Sequence, residues 1–398
     1  MSALIARFTE SQLAIFALTV IACLVVGRHG PSENIDSPLY LRVADGILRG
    51  DFSIFVTKEG AGWSVIGFPL VIAFAKVVAP IHWIWIVWTV NIASSGLTAV
   101  LLVAMVRDAS RSAVAAVVAL LFYVSSFDIL IWTRFVLGDA FYGVLACLTF
   151  YLLIQGIHRP EMRRRRLWLA LATLACFVTR PTGLAVVAVV IIAELLVRPV
   201  FSNERMRRIA YVVLAVGVVG ASVFRAYVFQ DMDRWPTSYM RPKLEEYASR
   251  EKTGEVVYDR AETHRRPPVT MADHLVMEAD RFVRFFQFTS PTFSRMHQLT
   301  SIVYYGALYA LGCIGAIAAF RAVDRRRRLL VTMALLWCFG AALLSAATVL
   351  DYDWRYRMPI MPQLILLAAY GVGVLVRMLG RGVSLAPADR AAPEGNTP

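Results

Sequence analysis

Apolar residues fall along this chain in long runs separated by short clusters of charge. Several runs approach or exceed the roughly 20 residues that a helix needs to cross a bilayer. They predict ten spans, near residues 10–27, 82–106, 112–132, 136–157, 167–179, 183–198, 208–229, 298–321, 329–350 and 357–379. A further apolar run, 64–79, contains Pro69 and ends at Pro80. Counting it as a crossing would put the 28–63 loop on the same side as the basic loop at Arg163–Arg166, so it is read as a juxtamembrane or re-entrant helix. The pieces 167–179 and 183–198 are short and meet at Thr179-Arg180-Pro181-Thr182-Gly183. An arginine at depth beside a Pro-Gly break suggests interrupted helices lining a cavity.

Two polar stretches carry a helical period of their own. In the first, Ser37 suits an N-cap, Pro38 the first helical position and Gly50 a stop, which predicts a helix over 38–49. Leu39, Val43, Ala44, Ile47 and Leu48 form its apolar face, and Arg42, Asp45 and Arg49 the polar one, as expected of a helix lying in the lipid interface. The second runs over 272–288, where Leu275, Ala279, Phe282 and Phe286 recur among Asp273, Glu278, Asp280, Arg281 and Arg284.

Composition agrees with this pattern. Of 398 residues 58% are hydrophobic and the mean hydropathy is +0.60, more than a soluble core requires. The expected fold is all-α: one polytopic membrane domain over 1–380, with outer loops 28–63 and 230–297, and a disordered cytoplasmic tail over 381–398. Gly27-Arg28-His29-Gly30 does not suit a cleavage site, so the first run is read as a retained span. The formal charge of +13 does not point to nucleic acid, because of where it sits. Residues 230–297 carry eleven Lys/Arg and eleven Asp/Glu, net 0, and residues 28–63 carry four against five, net −1. The excess lies in 158–166 (+4), 198–208 (+3) and 321–328 (+4), which the positive-inside rule assigns to the cytoplasm together with both termini. Cys23, Cys147, Cys176, Cys313 and Cys338 all fall inside apolar runs without ligand spacing and read as small buried hydrophobes.

The candidate chemistry gathers at the outer ends of the spans, where an ionisable group is costly unless paired, hydrated or functional. Asp36 is a candidate general base; its alternative is a solvated acid beside a helix N-terminus. Arg355 and Arg357, in Asp351-Tyr352-Asp353-Trp354-Arg355-Tyr356-Arg357, suit a phosphate clamp, against the alternative of a headgroup belt. Asp351 and Asp353 raise the possibility of a divalent cation, although two carboxylates rarely hold one alone, and no metal ligand set is assigned. Arg134 and Asp139 flank a turn and read as a pair with each other. Arg180 sits at the helix break, and Arg225 lies a turn from the outer end of its span, where it can snorkel. No internal repeat is present.

Asp36-Ser37-Pro38-Leu39-Tyr40-Leu41-Arg42-Val43-Ala44 followed by Gly50 resembles the first outer loop of the GT-C superfamily of polyprenyl-phosphate-sugar-dependent membrane glycosyltransferases, the class of protein O-mannosyltransferases and the lipid A aminoarabinose transferase. Arg134–Asp139, Arg180-Pro181-Thr182-Gly183, and Arg355-Tyr356 leading into Pro359 and Pro362, follow in the same order. The resemblance implies juxtamembrane helices in the first loop and an acid there as catalytic base, the position of Asp36. Many relatives carry Asp-Glu or Asp-Asp where this chain has Asp36-Ser37, and the large soluble C-terminal domain of some members has no counterpart. It further implies a hexosyl or pentosyl transfer from a polyprenyl-phosphate donor to a lipid, glycan or protein acceptor at the periplasmic face of a bacterial inner membrane. Tyr40, Asp139, Arg180, Arg225, Arg355, Tyr356 and Arg357 are the expected substrate-binding residues. A transporter or flippase of lipid-linked sugars, or a noncatalytic partner in envelope glycan assembly, are the readings it competes with.

Overall fold

The computed structural model describes residues 10–34, 37–51, 66–158, 163–180, 182–197, 271–289, 294–322, 324–348 and 354–383. These residues are almost entirely helical. The helices are α1 (Glu10–Val26), α2 (Ser37–Arg49), α3 (Gly67–Val78), α4 (Trp83–Ser110), α5 (Ala113–Val124), α6 (Phe127–Ile131), α7 (Asp139–His158), α8 (Arg163–Thr179), α9 (Gly183–Val197), α10 (Met271–Phe285), α11 (Arg295–Arg321), α12 (Arg325–Thr348) and α13 (Met361–Val383). Short 3-10 helices at Trp132–Arg134 and Trp354–Ile360 lie between them. The chain is a multi-pass membrane protein of all-α fold. By length and composition, five of the described helices suffice to cross a membrane: α4, α7, α11, α12 and α13, the last taken from Tyr356. A sixth is possible if α5 and the bent segment after it form one span. The expectation of ten is larger than this count, and its span over 208–229 lies outside the described residues.

The expected span over 112–132 is broken. Ser126 starts a new helix by accepting from the Ile129 amide at 3.4 Å, and the axis turns by 55° between α5 and the segment Phe127–Arg134. A serine hydroxyl that bonds the backbone two or three residues on offers the chain an alternative to continuing the helix. The run 64–79 contains the 12-residue helix α3, about 18 Å long at 1.5 Å per residue, against a hydrocarbon core of about 30 Å.

The core is a contiguous apolar cluster built from α4, α5, α7, α12 and α13, with Phe150, Tyr142, Met333, Ile365 and Leu366 among its buried members. α11 and α13 approach at backbone distance. A Cβ added at Gly315 would overlap the Leu367 carbonyl, and one at Gly371 would overlap the Leu311 carbonyl. In lipid no hydrophobic drive separates helix from solvent, so small residues that admit such contacts hold helices together. Gly315→Val is therefore expected to cost at least about 1–3 kcal/mol, because backbone cannot yield as a side chain would. The unfolding midpoint of the detergent-solubilised variant checks this, and an unchanged midpoint would rule out the close approach.

α2 begins at Ser37, one residue earlier than expected, and ends as expected. Gly50 has φ +71, its amide bonds Ile47 O at 3.1 Å, and the Asp51 amide bonds Gly46 O at 2.9 Å. That pair of bonds is a Schellman closure, which needs a left-handed residue at Gly50. The buried face differs from the predicted stripe. Tyr40, Val43 and Ala44 are buried, Tyr40 and Ala44 in one cluster with Phe68 and Ile72 of α3, while Leu39 and Leu48 stay exposed. The protein takes the face centred on Tyr40, leaving the outer leucines for the lipid interface. Ser37 does not act as an N-cap: its Oγ accepts from the Asn34 amide at 2.7 Å and donates to Val136 O at 3.0 Å. In α10, Arg281 turns inward, 6% exposed, and donates to Ala346 O at 3.3 Å, although its spacing placed it on the polar face. Cys313 is exposed on α11, unlike the other four cysteines, because most of that helix surface is not covered by protein.

Candidate functional site

The segment between α1 and α2 is fastened to the turn that leads into α7. The Ser32 amide bonds Arg134 O and the Val136 amide bonds Ser32 O, both at 3.0 Å, a one-residue parallel bridge between distant segments. Asn91 of α4, fully buried, donates from Nδ2 to Phe135 O at 3.0 Å and Leu137 O at 3.3 Å. Together with the Ser37–Val136 bond, these satisfy backbone carbonyls in an irregular segment that buries them. The described residues on either side of Asp36 are thereby held within reach of the turn that starts α7. Asp36 itself lies outside the described residues.

Asp139 opens α7 and is fully buried, and one of its carboxylate oxygens, Oδ1, forms an ion pair with Arg180. The pairing expected from sequence, Arg134 with Asp139, is not made. Arg134 lies over the Phe135 ring with its guanidinium carbon 5.3 Å from the centroid, and its buried Nε has no hydrogen-bond partner among the described residues. Arg180 wins because the break after α8 delivers it to the N-terminus of α7, where a buried carboxylate needs a cation as well as the helix dipole. The other Asp139 oxygen, Oδ2, is buried without a hydrogen-bond partner among the described residues. Arg180 also faces the Tyr356 ring, its guanidinium carbon 5.7 Å from the centroid. Asp139, Arg180 and Tyr356 come from three widely separated segments and meet at one point.

Tyr40 does not present its ring to this point. It is 7% exposed and meets Phe68 edge-on at 5.7 Å, and Phe68 in turn packs at 6.2 Å on Phe141, two residues beyond Asp139. Its place is in the wedge that sets α2 against α7. Asp45, on the same helix, pairs with Lys76 of α3 at 2.5 Å and locks the two juxtamembrane helices together.

Arg357 sits beside Tyr356 yet belongs to another cluster, since consecutive residues of a 3-10 helix diverge by about 120°. It is 1% exposed, donates from Nη1 to Gln287 O at 2.6 Å, and lies 4.6 Å from the Tyr305 ring centroid. Tyr305 donates to Asp128 Oδ2 at 2.7 Å, and Phe288, Tyr304 and Tyr309 surround it at centroid distances of 4.9–6.0 Å. The sequence reading missed Asp128 and Tyr305. An acid inside the apolar run 112–132 was the available signal for the first, and the Tyr304, Tyr305, Tyr309 spacing in the first half of α11 for the second. Tyr305→Phe keeps the ring beside Arg357 and deletes only the donor to Asp128. A loss of about 1.5–3 kcal/mol is expected for a bond to a charged acceptor. An unfolding midpoint equal to the wild type would show that this bond does not brace the second 3-10 helix.

The side chain of Arg355, and Arg225, Asp351 and Asp353, lie outside the described residues. Among the described residues no three His, Cys, Asp or Glu side chains come together.

No family model and no curated protein sequence matches the chain. Among solved structures it is similar to the archaeal oligosaccharyltransferase AglB from Archaeoglobus fulgidus, in complex with an inhibitory peptide and a dolichol-phosphate. That likeness has a TM-score of 0.50 and 12% identity over 98% of this chain and 52% of AglB. It is also similar to ArnT from Cupriavidus metallidurans bound to undecaprenyl phosphate, with a TM-score of 0.49 and 12% identity over 93% of this chain and 62% of ArnT. The chain thus spans about half the length of AglB, and the likeness is one of fold, an all-α multi-pass membrane architecture.

Proposed function

We propose, with the GT-C fold as premise, that this chain is a membrane glycosyltransferase. It moves a hexosyl or pentosyl group from a polyprenyl-phosphate carrier to an acceptor at the outer, periplasmic face of a bacterial inner membrane, with both termini cytoplasmic. The observation that supports this is the meeting of Asp139, Arg180 and Tyr356 beside a turn that also holds Ser37, the residue after Asp36. Four stretches singled out for the GT-C resemblance are thereby represented in one neighbourhood. A lipid phosphate of the class bound to AglB is the carrier that a cationic and aromatic site of this kind suits.

In this reading the acceptor hydroxyl attacks the anomeric carbon, its proton passes to the Asp36 carboxylate, and the bond from the anomeric carbon to the phosphate oxygen breaks with its electron pair leaving on the lipid phosphate. The leaving group is already activated, so the protein has to orient, neutralise charge and accept one proton. Arg355, Arg180 and Arg225 supply positive charge for the phosphate. Arg357 fixes the 3-10 turn carrying Arg355 through Gln287 and Tyr305. Tyr356 shapes the donor side, and Tyr40 seats the helix that follows Asp36.

Transfer of radiolabelled sugar from polyprenyl-phosphate donors, by the purified chain in proteoliposomes, tests the reading. Labelled product that depends on the chain is expected. Movement of intact donor across the bilayer without cleavage of the glycosidic bond would overturn it in favour of a transporter.

A further inference from the structure

Two turns meet at the other end of the bundle, and the glycosyl-transfer reading makes no use of them. We infer that they form a binding site for the phosphate of an anionic phospholipid headgroup. Asp108, in the last turn of α4, and Arg111, just after it, share a cavity with Asp324, just before α12, and with Arg326 and Arg327 of its first turn, above the buried Leu330. Asn91, which fastens the turn into α7, lies on the same helix as Asp108. Their separation of 17 positions along α4 sets the two sites about 25 Å apart.

The two acids of the cavity are engaged by neighbours. Asp108 Oδ2 accepts from Gln155 Nε2 at 3.0 Å, and Asp324 accepts from the Arg326 amide at 2.9 Å while pairing with Arg327 at 3.3 Å. The Arg111 and Arg326 guanidinium groups have no hydrogen bond or ion pair among the described residues. Two guanidinium forks, one after α4 and one in the first turn of α12, can take a tetrahedral phosphate between them, and a low-dielectric floor strengthens the attraction.

The backbone supplies a second observation. Arg111 has φ +53, and it is the one described residue other than glycine in the left-handed region. It stands at the C-terminus of α4, where glycine or asparagine would close the helix without that strain. The turn is also braced from a third helix, since Arg377 of α13 donates to Ser110 O at 2.7 Å. Strain held in place by its surroundings points to a use for the side chain that bears it. A lipid is favoured over free phosphate because Ile317 and Phe320, half exposed, occupy the last turns of α11 beside the same turn, offering acyl chains an apolar surface. Basic pockets between membrane helices bind anionic headgroups in this manner.

The test uses the full chain, delipidated in neutral detergent, with its thermal unfolding followed in added phosphatidylglycerol, phosphatidylcholine or inorganic phosphate. Phosphatidylglycerol is expected to raise the midpoint and the other two to leave it unchanged. Arg111→Gly and Arg326→Gln are each expected to weaken the apparent affinity about fivefold. Arg328→Gln, an equal loss of charge outside the cavity, is expected to keep the full response. Arg111→Gly relieves the backbone strain, so it folds with the cation removed. An equal loss in Arg328→Gln would overturn the site in favour of diffuse surface charge, and an equal gain from inorganic phosphate would overturn its assignment to lipid.

Discussion

Replacing Asp139 with alanine is expected to destabilise the protein by about 3–5 kcal/mol, which is the usual cost of leaving one member of a buried ion pair without the other. Both groups are out of solvent: Asp139 is fully buried and Arg180 is 8% exposed. The abandoned cation would be Arg180, fixed between the end of α8 and the Tyr356 ring and unable to reach water without disturbing the break that carries it. Arg180→Met alone should cost a similar amount, because it strands the Asp139 carboxylate at the start of α7. The double replacement, Asp139→Leu with Arg180→Met, should recover most of the loss, since an apolar pair of similar volume avoids both desolvation penalties. Unfolding midpoints of the four proteins in one detergent give the coupling directly. If the two single losses simply add in the double variant, the pair is not coupled and its proximity has no energetic consequence. The double variant is nevertheless expected to be inactive, which would separate what the pair does for folding from what it does for the donor.

The same pair shows what the sequence could and could not reveal. That Arg180 is special is legible locally, because an arginine beside Pro181 and Gly183 between two short apolar pieces fits neither a continuous span nor a loop. Its partner is not legible. Arg134 is five residues from Asp139 and Arg180 is 41, so local reading prefers the wrong one; the choice is made by the packing of α7 against α8 and α9. The juxtamembrane helix repeats the lesson. Its existence and its glycine stop follow from propensity and turn chemistry, but the buried face was assigned by counting apolar residues, and the surrounding helices take Tyr40 instead of Leu39 and Leu48. Asp128 was hidden for a related reason. It lies in a run apolar enough to pass as one span, and only the bend at Ser126 turns that run into two helices with an acid at the junction.

The second 3-10 helix joins the candidate site to the segment after α10. Tyr356 meets Arg180 on one side while Arg357 holds Gln287 and Tyr305 on the other, so a shift of the loop after α10 would move both. In the glycosyl-transfer proposal this segment can couple the site to the segment after α10, because its residues are committed in two directions within one turn.

Asp36→Asn is expected to lower the rate of sugar transfer by about 10²–10⁴-fold with the donor KM little changed, as befits a group that acts on a proton in the transition state. Asparagine keeps the size and the hydrogen-bonding reach of the side chain but accepts no proton at neutral pH. Arg355→Ala should show the opposite division, a raised donor KM, if that cation meets the phosphate in the ground state. Neither change should alter the unfolding midpoint by as much as Asp139→Ala, since neither removes a member of the buried pair. Rates measured at saturating donor in proteoliposomes of matched protein content make the comparison. A wild-type rate in Asp36→Asn would remove the base assignment from the first loop. The next carboxylate to examine would then be Asp139, whose Oδ2 is buried with no hydrogen-bond partner among the described residues. Asp139→Asn in the same assay distinguishes the two, because the amide retains an oxygen that can face Arg180 while losing the capacity to take a proton. Loss of turnover in that variant, with a fold stable enough to purify, would transfer the role from Asp36 to Asp139.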